Sequence, residues 1–306
     1  SKLDSYLTIN RIRHVLTMNL YPLLYASIAR GVSRQRRFLL SAAVNTTTQR
    51  SGKDELSMIL YAPLIKRAEN IMFGCAYQRD MWVDRYKLPV RKSRVIYNGV
   101  DEKYFSRKTV VQSDLTAFRK DYGIAPDEIV IGTVGQLRPE KQQSDLLKSA
   151  ARLVGLGYKV KILMVGDGSE RISLAMLARV LNIDKYIVFT GEVQDIRIPL
   201  AVMDIFTLTS VSVETFSNAA LEAMSMEVPI LLSDVGGARE MVREGYNGYI
   251  YNKGNVRQLT ELLQTMIRND GLRCLMAGKG RERIENEFTF RKMADQYQGI
   301  FSERVV

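Results

Sequence analysis

The sequence predicts an α/β protein built from two Rossmann-like domains with parallel sheets, and three observations carry that prediction. From Glu128 onward, short apolar runs rich in β-branched residues alternate with helix-forming stretches, the pattern of strand, crossover helix and parallel strand. The length of 306 residues suits two domains of roughly 150 each, and each is large enough to bury a core. Before residue 108 the same alternation recurs in weaker form, so the first domain reads as part of a similar sheet.

Taken in order, the second domain is expected to hold strands at 129–134, 159–165, 186–190, 205–209 and 229–232. Helices are expected at 145–156, at 170–181, near Gln194, from about Ser217 through Met226 and from Ala238, with only helices after Asn255. In the first domain the strand candidates are 6–9, 38–44, 70–75 and 93–97, and the helical stretches are 22–29, 56–68 and 77–86. Residues 101–126 read as an interdomain linker, giving domains at 1–108 and 109–288 and a separate C-terminal helix at 289–306.

Hydrophobic residues at 46% and charged residues at 25% are those of an ordinary soluble globular protein. No apolar run approaches the roughly 18 residues that cross a bilayer; the best, 198–213, is broken by Asp204. Cys75 and Cys274 form no CxxC pair, which argues against a disulfide framework or thiolate metal site and for a reducing cytoplasm. His14 is the one histidine, so a multi-histidine metal site is excluded. The net charge of +11 is unevenly placed: through Lys108 there are 20 Lys and Arg against 8 Asp and Glu, and after it 24 against 25. Arg11, Arg13, Arg30, Arg34, Arg36 and Arg37 surround the apolar stretch 15–29, so an anionic membrane surface is an expected partner. A solvated basic face is the plainer reading. Nucleic acid is not expected, because no recognition motif or aromatic platform accompanies the charge.

The most informative run is Ser212-Val213-Glu214-Thr215-Phe216-Ser217-Asn218-Ala219-Ala220-Leu221-Glu222-Ala223-Met224. It sets two carboxylates eight residues apart, Glu214 in the loop above a strand's carboxyl end and Glu222 inside the following helix. In an open parallel sheet that loop is where ligands bind, and the helix start offers free N–H groups and positive dipole. Each carboxylate can accept two hydroxyl donors of a sugar or ribose. The alternative is that Glu214 caps the helix and Glu222 pairs with a neighbouring base. Upstream, Gly135-Gln136-Leu137-Arg138-Pro139-Glu140-Lys141 follows the first strand of this domain, and Arg138 and Lys141 are placed to neutralise a diphosphate. Gly166 opens the next strand-end loop, Gly166-Asp167-Gly168, and Val193 lies just after the third strand. There is no D-x-D pair to hold a divalent cation, which fits neutralisation by Arg and Lys.

These residues together, with Val228-Pro229-Ile230 and Asp234-Val235-Gly236-Gly237-Ala238-Arg239-Glu240 behind them, closely resemble the nucleotide-sugar-binding half of GT-B glycosyltransferases of family 4, the glycosyl transferases group 1. Thr215 departs from the family's usual Gly and Ser217 from its frequent Pro, and neither change removes a carboxylate. Asn98-Gly99-Val100-Asp101 resembles the family's mark for the end of the first domain, and the resemblance runs from about Arg94 to Val305.

The resemblance implies a retaining, metal-independent hexosyltransferase; the cysteine usage adds a cytoplasmic location, and the basic first third adds a peripheral membrane position and a role in polysaccharide or lipopolysaccharide synthesis. Such an enzyme needs no cofactor and takes a UDP- or GDP-linked sugar as donor and a glycan or lipid-linked acceptor. By the same resemblance Gly135, Arg138 and Lys141 meet the phosphates and Val193 the base. Glu214 meets the transferred sugar with Phe216, Ser217 and Asn218, Glu222 meets the ribose, and Gly166 and Leu221 are expected among the nucleotide-sugar-binding residues. Glu214, Arg138 and Lys141 are the expected catalytic residues. No general base is expected, since neither Asn45 nor residues 8–10 supply the family's frequent histidine. Family members open with further strands and a Gly-rich loop, so the first domain is expected to be incomplete. A nucleotide-sugar epimerase or hydrolase, or a non-catalytic subunit that binds the nucleotide sugar, remain alternatives.

Overall fold

The computed structural model describes residues 2–32, 38–44 and 52–302; Arg34, Arg36, Arg37, Asn45 and Val305 lie outside them. The chain forms two compact units. The first comprises residues 1–98, 213–216 and 292–306, and the second residues 99–212 and 217–291.

The first unit runs α1 (Lys2–Ile9), β1 (His14–Met18), α2 (Leu20–Val32), β2 (Leu39–Val44), α3 (Gly52–Arg67), β3 (Asn70–Phe73), α4 (Ala76–Tyr86) and β4 (Ser93–Val95). Its strands lie in the order β1-β2-β3-β4, all parallel. Two expectations are corrected here. Residues 6–9, expected as a strand, are the last turn of α1, which buries Leu7 and exposes Tyr6 and Ile9. That helix stops at Arg11, whose φ of 53° is left-handed, with Asn10 Nδ2 donating to the Tyr6 carbonyl at 2.8 Å. The first strand is instead His14–Met18, hidden in the sequence because it runs straight into the apolar helix α2; Asn19, at φ 72°, makes the break.

The core of this unit gathers Leu23, Leu40, Ile65, Ile71, Phe73 and Trp82. Arg30, counted in the basic patch, is a structural residue. It bonds Glu69 through two nitrogens at 2.8 and 2.6 Å, and Glu69 also accepts the Leu40 N–H at 2.8 Å. His14 stacks edge-on to Phe301, ring centroids 6.0 Å apart.

The second unit continues with α5 (Gln112–Asp121), β5 (Ile129–Val134), α6 (Ser144–Gly155), β6 (Val160–Val165), α7 (Arg171–Val180), β7 (Ile187–Gly191), α8 (Arg197–Val202) and β8 (Ile205–Leu208). Then follow α9 (Asn218–Ser225), β9 (Ile230–Ser233), α10 (Ala238–Met241), β10 (Gly248–Tyr251), α11 (Val256–Ile267) and α12 (Asp270–Glu287). α13 (Phe290–Ser302) leaves this unit; from Lys292 it groups with the first, where Ile300 packs with Ala43, Met72 and Ile96.

Residues 101–126, expected as a linker, are folded onto the second unit. Arg107 donates to the carbonyls of Met226 and Ala201 at 3.1 and 2.9 Å, and α5 packs against α8. Strand β10 also went unforeseen, because Gly245 precedes it and Gly248 is its first residue, so its start reads as a turn.

The sheet order is β10-β9-β8-β5-β6-β7, every pair parallel. The chain leaves β5 toward β6 and β7 on one side, then returns to lay β8, β9 and β10 on the other. The order therefore reverses between β5 and β8, and in such a sheet the loops beyond the carboxyl ends at that point part to form a crevice.

Candidate functional site

The loops after β5 and β8 flank the reversal; the first carries Arg138 and Lys141, while residues 213–216 beyond the second, Glu214 among them, group with the first unit. Backbone packing builds the first of the two loops. Gly135 N–H donates to the Val165 carbonyl and Leu137 N–H to the Asp167 carbonyl, both at 2.9 Å, and Glu170 N–H returns a bond to Leu137 at 2.9 Å. Two glycines permit that approach: a Cβ on Gly166, at φ +121°, would lie 2.2 Å from the Gly135 oxygen, and one on Gly168 2.3 Å from the Leu137 oxygen. Gly135 itself is at φ +146° with open space where a Cβ would project, so a ligand can meet its backbone. Gly166 N–H also bonds the Gly191 carbonyl at 2.9 Å, drawing in the end of β7, beyond which Val193 is half-buried.

The loop after β8 is tied to the loop after β5. Thr209 Oγ1 donates to the Lys141 carbonyl at 2.9 Å and Val211 N–H to the Glu140 carbonyl at 3.0 Å, while Ser233 Oγ holds the Ser210 carbonyl at 2.6 Å. Val213 then turns to φ +57°, the one β-branched side chain among the described non-glycine residues at positive φ. Such a residue is strained there, and strain of this kind clusters at functional sites.

Within the first unit, residues 213–216 are anchored at Phe216. It is 4% exposed, its ring stacks on Tyr97 at 4.9 Å, and its carbonyl accepts Asn98 Nδ2 at 3.0 Å. Thr215 fits because Gly74 is a glycine; a Cβ there would come within 3.1 Å of Thr215 Cγ2.

The two plainer readings of the carboxylates both fail. Helix α9 is capped by Ser217, whose Oγ accepts the Ala220 N–H at 3.3 Å, so Glu214 is not the cap. Glu222 is half-buried on α9, and among the described residues its carboxylate has neither an ion pair nor a side-chain hydrogen bond; burial pushes its pKa up. Asn218 is exposed at the helix start, and the Leu221 side chain is wholly buried in the core.

The decisive feature is what the stretch after β5 leaves unpaired. Among the described residues, the buried side-chain atoms without a hydrogen-bond partner are Arg138 Nε, Gln143 Oε1 and Asp145 Oδ2. All three lie between residues 138 and 145. Arg138 Nε is 3.4 Å from Glu140 Oε1, close enough for attraction but not aligned as a hydrogen bond. Asp145 Oδ1 is held by Lys148 at 3.2 Å, and burial, aided by the Asp145 charge, pushes the Tyr251 phenol up. Orphaned buried polar atoms are rare in native proteins, and a cluster of them calls for a ligand or ordered water. Sequence reading singled out Arg138 and Lys141 but not Gln143, Asp145 or Val213. The polar run Gln142-Gln143-Ser144-Asp145 at the start of an amphipathic helix was the available signal for the first two.

A family model described as Glycosyl transferases group 1 matches residues 114–284, more than half of the chain. The chain belongs to that family. Group 1 relatives include the N-acetyl-alpha-D-glucosaminyl L-malate synthase of Bacillus anthracis, 29% identical over 70% of this chain and 54% of its own length. The capsular polysaccharide biosynthesis glycosyltransferase CapM of Staphylococcus aureus is 28% identical over 60% of this chain and 48% of its own. This chain thus spans about half the length of the curated relatives it matches. Among solved structures, Anabaena HepE in complex with UDP superimposes with a TM-score of 0.89 at 21% identity, over 98% of this chain and 81% of that one. At that identity the likeness establishes the fold, which is GT-B with two Rossmann-like domains.

Proposed function

We propose that the protein is a retaining, metal-independent glycosyltransferase of family 4 that moves a hexose from a UDP- or GDP-linked donor to a glycan or lipid-linked acceptor. The observation that carries this reading is the buried Arg138 Nε, a donor left without a hydrogen bond beside the reversal of the second sheet. Group 1 membership supports it, as do the relative named for N-acetylglucosaminyl transfer and the HepE complex with UDP.

Arg138 and Lys141 hold the diphosphate, with the open backbone at Gly135 beneath it. Glu222 accepts the ribose hydroxyls, for which its unpaired carboxylate is suited. Glu214 accepts hydroxyls of the transferred sugar, and the strained turn at Val213 aims it. In the reaction the bond from the sugar's anomeric carbon to the phosphate oxygen breaks as the acceptor oxygen bonds to the same face. The leaving phosphate takes the acceptor's proton, and fixed cations stabilise the charge that develops on it. The basic first third, together with the exposed Tyr21, Tyr25 and Ile28 of α2, suits work on a lipid-linked acceptor at an anionic, cytoplasmic membrane face. Among the described residues no helix is long and apolar enough to cross a membrane.

The test is sugar transfer by the complete protein with Glu214→Ala. Turnover is expected to fall roughly ten- to hundredfold, the loss of a charged hydrogen bond of about 1.5–3 kcal/mol, while binding of the nucleoside diphosphate persists. Unchanged turnover would remove Glu214 from the reaction.

A further inference from the structure

The surface of α7 points to a partner that the donor site does not involve. A helix at the edge of a domain ordinarily turns a polar face outward, and α7 does not. Its inner face buries Leu174 and Ala178, yet its outer face carries Ile172, Met176 and Val180, which are 74%, 61% and 77% exposed. The three are spaced four residues apart, so they form one continuous stripe along the helix rather than scattered surface residues.

The stripe is also a palindrome. Met176 stands midway between Ile172 and Val180. When two α7 helices are laid antiparallel about a two-fold axis at Met176, Ile172 of each copy meets Val180 of the other and Met176 meets itself. The same axis brings Arg179 opposite Ser173 of the other copy. Ser173 Oγ lies 3.3 Å from Glu170 Oε2, so the arginine comes within reach of that carboxylate at both ends. Among the described residues, the Arg179 guanidinium has no ion pair and no hydrogen bond. The helix dipoles also oppose in this arrangement, the Glu170 cap of each copy lying toward the Arg179 end of the other.

We infer that this face is an isologous contact between two copies of the chain, closed by two-fold symmetry. Such an interface is apolar at its centre and charged at its rim, as the cores and rims of protein interfaces are.

Sedimentation equilibrium of the protein across roughly 1 to 200 μM, the range in which a modest interface populates a dimer, tests the inference. A reversible monomer–dimer equilibrium is expected for wild type. Met176→Lys should be monomeric throughout, with circular dichroism and thermal unfolding unchanged because the side chain is exposed. Glu170→Arg and Arg179→Glu should each weaken association severalfold, and the double variant should recover it. Met176→Cys in a Cys274→Ser background should oxidise to a disulfide-linked dimer, because position 176 lies on the axis. A wild type that stays monomeric across the range, or a dimer that survives Met176→Lys, would overturn the assignment.

Discussion

Arg283 on α12, which is buried, and Arg138 after β5, which is half-buried with its Nε shielded from solvent, are both arginines of the second unit, and the chain treats them in opposite ways. Arg283 donates to the Met241 carbonyl at 2.7 Å and the Glu240 carbonyl at 3.1 Å, and pairs with Glu287 at 2.6 Å. Arg138 keeps a buried Nε without a hydrogen bond, and within seven residues Gln143 and Asp145 do the same. The helical layer satisfies its charges internally, whereas the mouth of the sheet leaves them for something else. Cavity size does not make this distinction. A cleft of about 490 Å³ in the helical layer is lined by Arg273 and Asp204, but Arg273 already donates to the Met266 and Ile267 carbonyls and Asp204 accepts the Val130 N–H. Unmet hydrogen-bonding capacity, not volume, marks the site.

The comparison breaks most visibly if Arg283 is removed. Arg283→Ala should lower the unfolding free energy by about 2–3 kcal/mol, since it strips two carbonyls and a carboxylate of their donor. Nucleoside diphosphate affinity of the folded protein should stay as in wild type. Denaturant unfolding paired with titration checks both halves, and lost affinity with unchanged stability would exchange the roles of the two regions.

A smaller effect sharpens the comparison at Glu222, where the charge is half-buried and unpaired. Burial raises its folded pKa above the ordinary 4.5. Its ionised form therefore costs stability above the unfolded pKa, and that cost disappears as pH falls through the raised folded value. Glu222→Gln should accordingly be slightly more stable than wild type at pH 7, converge with it in acid, and bind nucleoside less tightly. Urea unfolding at both pH values decides it; a destabilised variant with intact nucleoside binding would make Glu222 a structural residue.

The smallest expected effect lies in the first unit. Because Arg30 is paired with Glu69, the proposed membrane attraction is best tested at Arg34, Arg36 and Arg37 of the basic patch. Changing these three to Ser should reduce sedimentation with acidic vesicles, and wild-type binding should fade as salt rises from about 0.05 to 0.5 M. Binding indifferent to lipid charge would leave the patch as solvated surface.

Five of the six strands of the second sheet were legible in the sequence because each of them is a short apolar run bounded by glycine or a polar turn. The first sheet was less so: α1 ends in Tyr-Leu-Thr-Ile, which reads as a strand, and β1 merges with α2 into one apolar stretch. At the site, charge and spacing pointed to Glu214, Glu222, Arg138 and Lys141, but no sequence pattern shows that Ser217 rather than Glu214 caps α9. Nor does one show that Gln143 and Asp145 are buried unpaired. Those facts depend on how the loops after β5, β6 and β8 fold together.

Calorimetric titration of nucleoside and nucleoside diphosphate into wild type, Arg138→Ala and Lys141→Ala, each with and without EDTA, tests the central claim most directly. The cationic groups of Arg138 and Lys141 after β5 predict that each substitution weakens diphosphate binding on the order of tenfold, leaves nucleoside binding nearly unchanged, and does so identically in EDTA. Equal weakening of both ligands would mean that these residues act through folding, and sensitivity to EDTA would mean that a metal ion rather than Arg138 and Lys141 neutralises the phosphates.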